Sequence, residues 1–182
     1  MRPTKTLFPP AIVVLTGPVR SGKTTRLAAW VRARAAAGES VAGILAPAND
    51  DERSLCSIAT GECRVLTAGP GVPDDRLVEI GPHRLDGAVF DWARGVIGAA
   101  GGADAAAGGG WLVVDEVGPL ELRGSGLEPA VGTAVRAAAG AGASARLLLV
   151  VRERLVERVL HHYGLATSAI RVVTPDELTA LE

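Results

Sequence analysis

Residues 11–16 (Ala-Ile-Val-Val-Leu-Thr) form a short, continuous apolar run rich in β-branched side chains, and glycine follows at once. A run of this length without polar alternation predicts a strand buried on both faces, as in a parallel sheet. Residues 21–37 are good helix formers, with Leu27, Trp30, Val31 and Arg32 or Arg34 on changing faces and Gly38 as a C-terminal stop. The chain thus opens as strand, glycine loop and helix. Residues 41–46 are a second apolar strand ended by Pro47. Residues 54–59 and 62–67 flank Thr60-Gly61, where glycine offers the positive φ of a two-residue turn, so an inserted hairpin is expected there.

Residues 69–82, rich in Gly, Pro and Asp, read as loop. Asp86 is placed to cap a helix running to about residue 99, and residues 98–110, nearly all Gly and Ala, read as a low-complexity loop. The next strong strand signal is Trp111-Leu-Val-Val-Asp115, which carries an acid at its carboxyl end. A helix over 127–139, a strand over 146–151, a helix over 152–162 and a strand over 169–173 follow. Thr174-Pro175-Asp176-Glu177 has the cap and first-turn proline that open a last short helix. Strands alternating with helices predict a three-layer α/β fold. Its sheet is mostly parallel, with about five core strands and a small inserted hairpin at about 54–67.

Composition narrows the function classes. The 182 residues suit one α/β domain, 1–182. Basic and acidic residues number 19 and 20, so no broad positive field exists to attract nucleic acid or an anionic membrane. Arg2 and Lys5 precede an apolar stretch that Pro9, Pro10, Gly17 and Pro18 interrupt, far short of a signal sequence or membrane span. A cytoplasmic location is expected. Cys56 and Cys63 are too few for a disulfide framework and have no neighbouring His for a zinc cluster, so they read as two thiols.

Among the basic residues only Lys5 and Lys23 are lysine, which gives Lys23 added weight. Gly17-Pro18-Val19-Arg20-Ser21-Gly22-Lys23-Thr24 matches the G-x-x-x-x-G-K-[S/T] spacing, after a strand and before a helix as that motif requires. The glycines let successive backbone N–H groups turn inward onto phosphate oxygens, and the helix adds its positive end. Lys23 is then a point charge for the β and γ phosphates, Thr24 offers its hydroxyl to Mg²⁺, and the Thr25 amide faces the α phosphate.

Hydrolysis also needs a positioned ion and an activated water. Asp115 and Glu116, where the 111–115 strand ends, suit these roles: Asp115 toward magnesium, mainly through its waters, and Glu116 as general base. Asp50, Asp51, Asp74 and Asp75 are alternative acids, but none directly ends an apolar strand of comparable quality. Arg20, Arg123, Arg152 and Arg154 are the cations available to steady a γ phosphate.

At Asp115-Glu116-Val-Gly-Pro-Leu-Glu-Leu122 the chain resembles the small P-loop nucleoside-triphosphatase family that includes thermophilic-archaeal enzymes and the human cancer-related enzyme. That family carries an Asp-Glu-Ile-Gly-x-Met-Glu-Leu type of segment. Gly-x-x-x-x-Gly-Lys-Thr-Thr, Ala-Thr-Gly-Glu at 59–62, Ile-Gly at 80–81 and the strand-then-Arg segment near 151–158 fall in the same order. The loop interior departs from the family at Pro18 to Ser21, around Arg20. The resemblance implies slow, magnesium-dependent hydrolysis of several nucleoside triphosphates, ATP and GTP included, with Glu116 as base. Glu121 matches a further acid of the segment, and a structural tie and a site contact both stay open.

Two rival readings share the phosphate loop. One is a GTP-binding adaptor similar to that used in molybdopterin guanine dinucleotide synthesis. The other is a small-molecule or nucleotide kinase with Arg152 and Arg154 as lid arginines and a second pocket for the acceptor. An adjacent Asp-Glu pair favours water as the acceptor. No residue is an evident base reader, a protein partner is not indicated, and Trp30, Trp92 and Trp111 are assigned to the core.

Overall fold

The protein is described by a computed structural model over residues 11–18, 21–48, 52–101, 109–140, 143 and 145–181. Strand β1 (Ile12–Leu15) leads into helix α1 (Lys23–Ala36), followed by β2 (Val41–Leu45), β3 (Ser54–Ser57) and β4 (Cys63–Val65). Then come β5 (Leu77–Ile80), β6 (His83–Asp86), α2 (Gly87–Ala100) and β7 (Trp111–Val117). Helix α3 (Ala130–Ala139), β8 (Arg146–Val151), α4 (Val156–His162) and β9 (Ile170–Val173) complete the order.

Seven strands form one sheet in the order β4-β3-β2-β7-β8-β1-β9. The five from β2 to β9 are parallel, while β3 and β4 extend the edge as antiparallel strands. The expected five-strand core with its 54–67 hairpin is therefore present, and the hairpin continues the main sheet. Strand β8 lies between β1 and β7.

Period-two alternation sends successive residues of each strand to opposite faces, which explains the three layers. Ile12, Val14, Leu112, Val114, Leu147 and Leu149 pack under α2, α3 and α4. Val13, Leu15, Trp111, Val113, Leu148 and Val150 pack under α1 and the C-terminal Leu178 and Leu181. Trp30 and Trp111 meet edge to face at 5.0 Å inside this second layer, so both are core. Trp92 is partly buried beside the first, with the Arg64 guanidinium 4.6 Å above its ring. Strand β2 lies so close to β7 that a Cβ on Gly43 would stand 2.0 Å from the Val113 carbonyl oxygen.

Asp86 caps α2 as expected, its carboxylate accepting from the Ala88 amide. Several expectations are corrected. Residues 69–82 are not all loop: a short 3₁₀ helix, Asp74–Arg76, leads into β5, which pairs with β6 across Gly81-Pro82. The helix expected over 152–162 becomes helical only after Arg152, opening as a 3₁₀ turn before α4. The last helix is a 3₁₀ turn at Leu178–Ala180, preceded by Thr174 and Glu177 closing a side-chain cap.

The β3–β4 connection is longer than a two-residue turn. Ser57 N–H bonds to Glu62 O, and Gly61 N–H closes back on Ser57 O, leaving residues 58–61 as the connection. This register sets Cys56 opposite Cys63 with Cα atoms 4.0 Å apart, and the two form a disulfide rather than the expected pair of thiols. The low-complexity stretch lies mostly outside the described residues.

Candidate active site

All parallel strands point the same way, so the carboxyl ends of β1, β2, β7 and β8 share one edge, where open α/β sheets gather ligand-binding loops. The loop from β1 to α1 carries the glycine-lysine motif. Gly22 caps α1 at φ 75°, ψ 21°, a left-handed conformation that glycine adopts without penalty. No acidic side chain occupies the first turn of α1, so its amide end keeps its positive character. Lys23 folds back across the loop, its Nζ donating to Gly17 O at 2.9 Å and Pro18 O at 2.6 Å. Gly17 is buried, with room for a Cβ limited by Ser21 Oγ at 3.3 Å and Pro175 at 3.5 Å. Ser21 Oγ is itself buried and has no hydrogen-bond partner among the described residues. A buried polar atom left in this state beside the first turn of α1 fits a site that receives an oxyanion. Val19 and Arg20 lie outside the described residues.

Asp115 is 2% exposed and takes two hydrogen bonds, from the Ala46 amide at the end of β2 (3.1 Å) and from the Thr24 hydroxyl at the start of α1. Burial pushes its carboxyl up to about 6, against the lowering effect of those two donors. Glu116 adds to the rise and Lys23 opposes it. Among the described residues no three His, Cys, Asp or Glu side chains converge as a metal site. The Asp115 carboxylate beside the Thr24 hydroxyl is nonetheless a pair of hard oxygen donors, which fits Mg²⁺, an ion usually held by one or two protein oxygens plus phosphates and water.

Glu116 faces elsewhere. Strand β7 changes register against β8 between Val114 and Val117, and Glu116 sits in that irregularity at φ 71°. It is the one non-glycine with positive φ among the described residues, at a cost of about 1–2 kcal/mol. The kink separates the two adjacent acids: Asp115 turns into the protein toward Thr24, while Glu116 emerges partly exposed between two arginines. Arg152, just past β8, donates from Nη2 to Oε1 at 2.7 Å. Arg53, just before β3, donates from Nη1 to both carboxylate oxygens at 3.1 and 3.4 Å.

Arg53 was not marked by the sequence, because an arginine in a polar loop carries no spacing signal. Its backbone is pinned, N–H to Thr67 Oγ1 at 2.9 Å and O from Leu66 N–H at 2.7 Å, so the hairpin carries it to the site. Of the other candidate cations, Arg154 lines a cleft beside Glu116, whereas Arg123 is exposed at the end of the Glu121–Arg123 turn, away from that cleft. Asp74 and Asp75 are exposed on their 3₁₀ turn, and Asp50 and Asp51 lie outside the described residues. Glu121 is 3% exposed and accepts from the Gly118 and Leu127 amides at 2.8 and 3.0 Å, so it ties down the loop after β7. Burial raises its carboxyl above the ordinary range.

This fold and this loop define a P-loop nucleoside-triphosphatase architecture. The human cancer-related nucleoside triphosphatase has a similar structure, with a TM-score of 0.66 and 21% identity over 93% of this chain and 94% of that one. THEP1 from the hyperthermophile Aquifex aeolicus is similar to the same degree, with a TM-score of 0.66 and 15% identity over 94% and 96% of the two chains. No family model matches the sequence, and no curated protein matches it significantly. The two likenesses concern the fold.

Proposed function

We propose that the protein hydrolyses nucleoside triphosphates, ATP and GTP among them, to diphosphate and phosphate in a magnesium-dependent reaction. The observation that carries this reading is the division of labour between neighbouring acids, with Asp115 turned to Thr24 and Glu116 turned to solvent beside two arginines. Loop amides from Gly17 to Thr25, Val19 and Arg20 included, take the phosphate oxygens, and Lys23 exchanges its two carbonyl contacts for the β and γ phosphates. Thr24 and Asp115 would hold Mg²⁺, which supplies charge neutralisation on the phosphates when bound. Glu116 accepts a proton from the attacking water as the new P–O bond forms and the bond to the β-phosphate oxygen breaks. Arg152 is placed to steady charge on the transferring group.

The reading takes residues 1–182 as one domain acting in the cytoplasm on free nucleotide, with no nucleic acid or membrane involved. No described helix is long and apolar enough to cross a membrane. The test is phosphate release from ATP, GTP, CTP and UTP with and without Mg²⁺, in wild type and Lys23→Ala. Slow magnesium-dependent release from several nucleotides, lost in the variant, supports hydrolysis. Tight binding without release favours the adaptor, and release only with an added alcohol acceptor favours the kinase.

A further inference from the structure

Beside Glu116 lies a cleft of about 310 Å³. No described residue of the phosphate loop lines it, yet Asp115 and Glu116 do. Its walls are apolar: Leu55 from β3, Ile80 from β5, Leu85 from β6, Phe90 from α2, and Leu120 and Leu127 from the segment after β7. The β5–β6 hairpin, in its own two-stranded sheet, contributes one wall. Arg53, Arg152 and Arg154 also line the cleft. Arg53 and Arg152 share the single carboxylate of Glu116, and Arg154 makes no hydrogen bond or ion pair among the described residues.

A concave apolar chamber with a few convergent polar groups is the usual form of a small-molecule site, and this volume is at the small end of the ordinary range of roughly 300–1,000 Å³. Asp115 and Glu121 also line the cleft but are 2% and 3% exposed and turn their oxygens to backbone amides. At its surface three guanidinium groups therefore meet the one carboxylate of Glu116 and remain open to an oxyanion. The apolar walls, in turn, require a body without charge.

We propose that this cleft is a second small-molecule site, for a compound with an apolar body and one oxyanion group. That group pairs with Arg154 and competes with Glu116 for Arg152. Occupancy then loosens the hold of Arg152 on Glu116, so the carboxylate is no longer aimed at the attacking water and the ligand slows turnover. The effect on turnover rests on the hydrolase reading above; the binding does not.

The test uses the full chain with 8-anilinonaphthalene-1-sulfonate, an apolar-bodied anion of suitable size, followed by its fluorescence. Saturable one-to-one binding is expected in wild type, about threefold weaker in Arg154→Ala, since an exposed ion pair contributes little. Ile80→Trp fills the chamber and should weaken binding at least about tenfold, with a circular dichroism spectrum and basal phosphate release like those of wild type. If Ile80→Trp does not fold, Arg154→Ala carries the test. The kcat for phosphate release by wild type should fall at least about twofold as the probe saturates, with the KM for nucleotide unchanged. Absence of saturable binding, equal affinity in the folded variants, or a kcat that stays level or rises at saturation overturns the proposal. No release under any condition, with binding still weakened in the variants, refutes the hydrolase reading and the coupling to Glu116 while upholding the site.

Discussion

Arg152 Nη2 donates to Glu116 Oε1 at 2.7 Å although 36 residues separate them, because each leaves the carboxyl end of one of two adjacent parallel strands, β8 and β7. Both side chains are about one-third exposed (35% and 36%), so solvent screens the pair and it contributes little to stability. Its worth lies in aiming the carboxylate. Arg152→Ala should lower kcat about tenfold or more while shifting the unfolding free energy by no more than about 1 kcal/mol. Steady-state kinetics and urea unfolding of the same preparation measure both. A large stability loss with unchanged kcat would make the pair a structural tie.

The left-handed backbone at Glu116 separates stability from activity. Glycine carries no penalty at φ 71°, so Glu116→Gly should raise stability by about 1 kcal/mol while removing the carboxylate and with it turnover. Thermal unfolding beside phosphate release shows whether the two move in opposite directions. A variant that is both less stable and inactive would mean that the arginine contacts outweigh the backbone strain.

Asp115 should leave a signature in the pH dependence of stability. Its carboxyl lies at about 6 in the folded protein against an ordinary 3.8, so the folded state holds the proton more tightly than the unfolded chain. The contribution of this group is therefore fully present below the unfolded value and lost as pH rises through about 6. In metal-free buffer, wild type should lose up to about 3 kcal/mol relative to Asp115→Asn between pH 4 and pH 7.5. The lowered carboxyls of Glu39, Asp86 and Glu177 act in the opposite sense but are common to both proteins. Urea titrations at several pH values measure the difference, and parallel profiles would contradict the burial argument.

The Cys56–Cys63 bridge closes a short loop at the sheet edge. Under denaturing conditions without reductant, thiol titration should find no free sulfhydryl, and after reduction it should find two. The double serine variant should unfold about 2 kcal/mol more easily, as expected for a loop of this length. Two free thiols in the untreated, unfolded protein would exclude the bridge.

What the sequence made legible followed from strong local signals. The apolar runs at β1, β7 and β8 could only be buried strands, and the glycine-lysine spacing needed only its strand and helix on either side. Asp86 announced α2 because a capping aspartate acts within two residues. The missed features depend on contacts between distant segments. Strands β5 and β6 are four residues each, and Gly81-Pro82 between them reads as punctuation of a loop. The disulfide depends on hairpin register, which shifts when the connection grows from two residues to four. Arg53 reaches Glu116 only because β3 adds to the edge of the parallel sheet, a placement that no local pattern encodes. The kink at Glu116, which turns adjacent acids to different tasks, is likewise set by the pairing of β7 with β8.

The most direct test of the account compares nucleotide binding and phosphate release in wild type and Glu116→Gln, with a fluorescent ATP analogue for affinity and Mg²⁺ present throughout. Glutamine keeps hydrogen-bonding capacity toward Arg53 and Arg152 but does not accept a proton from water. The account predicts affinity within about threefold of wild type and turnover reduced about 100-fold or more. Undiminished turnover in Glu116→Gln would contradict it.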